Sequence, residues 1–157
     1  MRALADCERA MAIARTCPER LPEAEALVVL AAALAAHNRG PDARHAASTG
    51  LAVARQAGFR LVEGDALVAI AELDRATGRI ASARATATRA LDVHRETEYL
   101  LGQARAHDVL AEVMVARGRG RRARQRGTKD PHRDRQKYRT SGTVICPAVV
   151  APGTLRR

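Results

Sequence analysis

A chain of 157 residues is about one domain long, and with 46% hydrophobic but only 2% aromatic residues its core must be built from closely packed Ala, Leu, Val and Ile, which excludes an aromatic-rich β-sandwich. The formal charge of +10 sits at one end: residues 1–118 hold 15 Arg, no Lys and 15 Asp plus Glu, whereas residues 119–157 hold 12 Lys plus Arg and two Asp. The part before residue 119 is therefore not basic, and any phosphate-binding reading is confined to residues 119–157.

The chain opens with MRALADCERAMAIARTCPER, which mixes Asp6 and Glu8 among apolar residues and lacks the continuous hydrophobic region of a secretory signal. Its apolar residues recur at three- and four-residue steps, which predicts a helix near 2–16. Pro18 and Pro22 bracket a turn, and a second helix is expected near 22–38. Its run ALVVLAAALAA (26–36) has 11 apolar residues, well short of the ~20 that a membrane span needs. A chain without a membrane span, placed in the cytoplasm, is the expectation.

Gly40-Pro41-Asp42 then sets Gly at the end of one helix and Pro in the first turn of the next, where its missing N–H costs nothing. Helices are expected near 41–57, 61–77, 80–97 and 100–117, with Gly58, Gly78 and Gly118 as stops. Cys7, Cys17 and Cys146 form no even set and no CxxC, so neither a disulfide framework nor a zinc site is expected; Cys7 and Cys17 read as small apolar residues on helix faces.

One pattern occurs three times at a spacing of 40: LPEAEALVVLAAALAAHNR (21–39), LVEGDALVAIAELDRATGR (61–79) and LGQARAHDVLAEVMVARGR (101–119). Leu21, Leu61 and Leu101 coincide, as do Ala26, Ala66 and Ala106; Ala31, Ala71 and Ala111; and Arg39, Arg79 and Arg119. A second set alternates with it at the same period: Ala3, Ala43 and Ala83; Met11, Leu51 and Leu91; Arg15, Arg55 and Arg95; and Phe59 with Tyr99. Each repeat is thus a pair of helices. A pair this small cannot bury its apolar face alone, so neighbours must stack around a shared core, and a right-handed helix-turn-helix solenoid of about six helices followed by an irregular basic tail is the expected all-α fold. A large side chain at Ala71 or Ala111 is expected to overpack that stack, at about 1–3 kcal/mol.

The residues Ala66-Leu67, Ile70-Ala71, Gly78, Ala83 and Ala90-Leu91 resemble the tetratricopeptide repeat, and the match recurs at Ala26-Leu27, Leu30-Ala31 and Ala43, and again at Leu110-Ala111, Gly118 and Ala123. The period here is 40 residues rather than the family's usual ~34, and its signature aromatics and Pro are missing. The run ALDVHRETEYLLGQARAHDVLAEVMVARG resembles the longer repeats at the C-terminal end of actinobacterial antibiotic regulatory proteins of the SARP type and of LuxR-type (MalT-like) transcriptional regulators. The likeness covers residues 1–118, without a winged helix, helix-turn-helix or phosphate loop, so it implies only the partner-sensing module of such regulators.

That resemblance implies a concave face formed by the first helix of each pair, carrying Glu25, Val28, Asp65, Val68, Glu72, Arg75, Arg105, Asp108 and Glu112. These residues are acidic or apolar in the main, which suits a basic or amphipathic helical segment of a partner protein. Bound carboxylate tails, which the family clamps with Lys and Asn, are disfavoured.

No nucleophile sits in a recognisable catalytic context, and His37, His45, His94, His107 and His132 show no i, i+4 pairing with another ligand, so no enzyme activity, cofactor or metal is expected. Residues 119–157 form a second segment, basic and expected to be disordered, in which Arg119, Arg121, Arg122, Arg124 and Arg126 could contact nucleic-acid phosphates. Only Tyr138 is there to stack on a base. The repeat register survives from Gly118 to Arg124 and then collapses, which reads as a truncated or frame-altered piece of a longer array. The apolar TVICPAVVAP (143–152) is expected to pack loosely on the last helix or to aggregate, and a homodimer through that unpaired helix is a further expectation.

Overall fold

A computed structural model describes the backbone of residues 2–127 and the side chains of residues 4–122. Within them lie six helices: α1 (Arg2–Ala14), α2 (Leu21–Ala36), α3 (Gly40–Ala57), α4 (Arg60–Ala76), α5 (Ile80–Glu96) and α6 (Leu100–Gly127). The described chain is all-α. The helix stack lies within one compact unit, residues 1–120. TVICPAVVAP, Cys146, His132 and the side chains of Arg124 and Arg126 lie outside the described residues.

The first five helices begin and end within two residues of the positions read from the repeat. Gly58 and Gly78 terminate α3 and α4 with φ of +75°, the left-handed conformation that glycine adopts without a Cβ penalty. Asn38 and Glu98 take up the equivalent conformation, with φ of 59° and 53°, after α2 and α5. The last helix differs from expectation. It does not stop at Gly118 but continues through Gly120 to Gly127, because the glycines alternate with Arg and Ala, strong helix formers that carry the backbone across them.

Connections of two to three residues after α2, α3, α4 and α5 force consecutive helices to run antiparallel. α2 packs on α3, α3 on α4 and α4 on α5, while α1 rests on α2 and the two first helices α2 and α4 also touch. A core shared by α1 to α4 gathers Leu27, Leu34, Val53 and Ile70. A second core joins α4, α5 and α6 through Leu67, Val68, Leu91 and Val113. α4 takes part in both, which is why it is buried almost without a break from Val62 to Ala71.

Alanines at the contacts bring these helices close. Ala43, Ala47 and Ala54 on α3, and Ala83, Ala87 and Ala90 on α5, have no exposed surface. Ala71 is equally enclosed, so Ala71→Leu should lower stability by about 1–3 kcal/mol in urea unfolding. Ala111, its counterpart one repeat on, is instead exposed because no described helix covers that side of α6. The overpacking expected there does not arise within one copy, and Ala111→Leu should melt with the parent chain at concentrations where both are monomeric.

Polar groups tie one helix pair to the next. Arg55 Nε on α3 donates to Glu63 Oε1 on α4 at 2.8 Å, and Arg60 Nη1 donates to Glu63 Oε2 at 2.6 Å. These two guanidinium groups hold the Glu63 carboxyl below the usual range although burial alone would raise it. Asp74, with no exposed surface, accepts from Ser82 Oγ at 2.6 Å and Arg79 Nε at 2.9 Å and pairs with Arg44, so it joins α3, α4 and the start of α5.

Candidate functional site

The face shared by the first helices α2, α4 and α6 holds a groove of about 430 Å³. Its floor is alanine: Ala31, Ala32, Ala35 and Ala36 from α2, and Ala69 and Ala76 from α4. Glu72 and Arg75 on α4, and Arg105, Asp108 and Glu112 on α6, form the charged side. A floor of methyl groups leaves room for a partner's side chains, and the rim supplies charge to place them.

The charges are organised in pairs. Arg75 Nε lies 2.7 Å from Glu112 Oε2, and Arg105 Nη1 donates to Asp65 Oδ1 at 3.3 Å. Glu72 is exposed and among the described residues has no such direct partner; partial desolvation by its neighbours pushes its carboxyl up, opposed by Arg105 and Arg75 and reinforced by Glu112. Asp65 is likewise raised by burial, against the pull of Arg105 and His94. Counting Asp65, four carboxylates stand against two guanidinium groups, so the groove is acidic in balance.

Five of the nine residues expected on the concave face, Glu72, Arg75, Arg105, Asp108 and Glu112, line the groove, and Asp65 reaches them through Arg105. Three do not. Val68 has no exposed surface and belongs to the core with α5. Val28 packs beside Gly50 of α3, on the side of α2 that faces its own hairpin partner. The groove position on α4 is Ala69, one residue on from Val68, and one residue turns a helix by about 100°. Glu25 lies in a separate hollow between α1 and α2. The alanine floor was not singled out from the sequence, although the run LAAALAA, apolar on every side of one helix, was its signal.

Arg119, Arg121 and Arg122 are exposed on the extension of α6. Among the described residues no group of three or more His, Cys, Asp or Glu could hold a metal ion. Nor is any described helix long and apolar enough to cross a membrane.

Beside the groove lies a histidine whose sequence context suggests a surface position. His94 of α5 has no exposed surface, and among the described residues neither ring nitrogen makes a well-formed hydrogen bond. Its ring lies between Gly64 of α4 and Gly102 of α6, where a Cβ would come within 2.4 Å and 2.5 Å of it. The Tyr99 ring packs against it at 5.4 Å between centroids, tilted by 58°, and Asp65 Oδ1 lies 3.8 Å from Nε2.

Burial lowers the proton affinity of His94, with Asp65 and the Gly64 backbone opposing and Arg105 adding to the effect. A histidine that is harder to protonate folded than unfolded supports the fold fully above the unfolded value of about 6.5 and loses that support as pH falls below it. The melting temperature should therefore drop between pH 7.5 and 5.5 more steeply in the parent chain than in His94→Leu, as read by circular dichroism.

No protein-family model and no curated protein matches the chain.

Proposed function

We propose that the chain is a non-catalytic protein-interaction module of the tetratricopeptide type, whose groove across α2, α4 and α6 seats a cationic amphipathic helix of a partner protein. The observation that carries this reading is the groove itself: an alanine floor about 430 Å³ in volume beneath a rim in which carboxylates outnumber guanidinium groups. Helix axes pack roughly 8–10 Å apart, so three parallel first helices span about 20 Å, the length of roughly 14 helical residues. The apolar stripe of such a helix would settle on Ala32, Ala35 and Ala69, and its Lys or Arg side chains would reach Glu72, Asp108 and Glu112. The 40-residue hairpin period and its likeness to the repeats of bacterial regulators support a place in the partner-sensing region of such a protein.

A labelled amphipathic peptide of Leu and Lys, about 14 residues long, tests this against the full chain by fluorescence anisotropy. Glu72→Lys with Glu112→Lys should weaken binding at least about tenfold, and Ala32→Phe, which fills the floor, should do the same. Equal binding of a Leu and Glu peptide, or unchanged affinity in both variants, would refute the reading.

A second reading is favoured by the exposed Arg119, Arg121 and Arg122, which would attract nucleic-acid phosphates. Salt-sensitive binding of a duplex that Arg121→Glu with Arg122→Glu abolishes, in a chain that does not take up the peptide, would favour this second reading over the first.

A further inference from the structure

We propose that copies of this chain associate head to tail, with α6 of one copy packing on α1 and α2 of the next, so that the repeat register runs on across the junction. The two surfaces that would meet are each left open by the described residues, and the chain's own interior shows how they fit.

The first surface is on α1. At the same register α3 presents Ala43, Ala47 and Gly50, and α5 presents Ala83, Ala87 and Ala90, all buried under the first helix that precedes them, α2 and α4 respectively. The counterparts on α1 are Ala3, Cys7 and Ala10. Cys7 is only half-buried and Ala10 is exposed, for no described helix lies on them.

A hollow of about 560 Å³ opens beside them, and its α2 wall includes Pro22, Ala26 and Val29. The register equivalents of those three in α4 are Val62, Ala66 and Ala69, which are buried. Both walls of the hollow are thus the walls between which, inside the stack, a preceding first helix sits.

The second surface is on α6. α4 buries Leu67, Val68, Ala71 and Asp74 on its α5 side. The same positions in α6 are His107, Asp108, Ala111 and Met114, and all are exposed, Met114 at 72%. Leu101 and Val115 beside them are 61% and 54% exposed. Among the described residues, α6 is therefore a first helix with no second helix against it, and α1 a second helix with no first.

One copy supplies what the next lacks. The packing rule is the one that α2 and α3, and α4 and α5, already obey in the same chain. Because the two faces differ, the contact is heterologous, and successive copies form a chain or close into a ring rather than stop at a dimer.

The register fixes the partners. A Cβ at Gly50 would lie 3.1 Å from the Leu27 Cβ, and their equivalents across the junction are Ala10 of one copy and His107 of the next. In a chain with Cys7, Cys17 and Cys146 replaced by Ser, Ala10→Cys combined with His107→Cys should give a ladder of dimers, trimers and larger species on a non-reducing gel, and either cysteine alone should not. The unmodified chain should show a mass that rises with concentration in light scattering. Ala10→Arg and Met114→Asp, both at exposed sites, should each return it to a monomer with unchanged helical circular dichroism. A monomeric mass from micromolar to submillimolar concentration would overturn the proposal. So would a closed dimer cross-linked efficiently by His107→Cys alone, since that would put α6 against α6.

Discussion

Gly102→Val is expected to destabilise the chain by about 3 kcal/mol, and adding His94→Ala is expected to restore most of that loss. The reason lies in how two successive repeats fill one slot. In the earlier junction the slot holds Ala54 of α3 and Val62 of α4, both buried. Forty residues on, the same two positions are His94 and Gly102, so a ring on one helix is matched by the loss of a side chain on the next. A side chain at position 102 would run into an imidazole whose Cε1 is 2.5 Å from the Cβ site and which, being wholly enclosed, has nowhere to turn. His94→Ala alone should leave a cavity and cost about 2 kcal/mol. The double variant recreates the Ala and Val pair. Urea unfolding of the four chains measures the coupling, and additive losses would show that the slot is not shared.

Asp74→Ala should cost about 3 kcal/mol, because it removes the one acceptor on which three helices converge. Arg44, Arg79 and Ser82 all turn to a carboxylate with no exposed surface, and those contacts keep its pKa below the ordinary Asp value despite burial. A depressed value means that this support is complete above the ordinary Asp pKa of about 3.9 and is lost as pH falls below it. Asp74→Asn keeps the shape and one acceptor and should fall between the two in chemical denaturation. It should also show a flatter acid-unfolding profile than the parent chain.

The repeat made the helices legible because burial on both sides of a stack imposes one period on the whole chain. Gly58 and Gly78 acted as stops since the chain there turns sharply into the next helix and needs a positive φ. Gly118 carries the same letter in the same register, yet α6 passes through it, because a glycine ends a helix only where such a turn comes next. In the groove, the charged residues of α4 and α6 were legible through the likeness to the repeat family, which marks the first helix of each pair as the concave side. Val68 lies one residue from Ala69 of the lining, and Val28 lies on the side of α2 that faces α3; no pattern of polar and apolar letters could correct this on helices so rich in buried alanine. His94 was hidden for a different reason. A single histidine reads as a surface residue, and only its comparison with Ala14 and Ala54 at the same register marks it as a guest in the core.

The near-total enclosure of α4 also bears on how the chain comes apart. In a stack where each helix leans mainly on its neighbours, opening is easiest at the outer members, α1 and α6, and proceeds inward. The amide of Val68 would then exchange its hydrogen only when everything around it has let go. Its exchange rate would report the free energy of the entire cooperative unit, while amides in α1 would report no more than fraying.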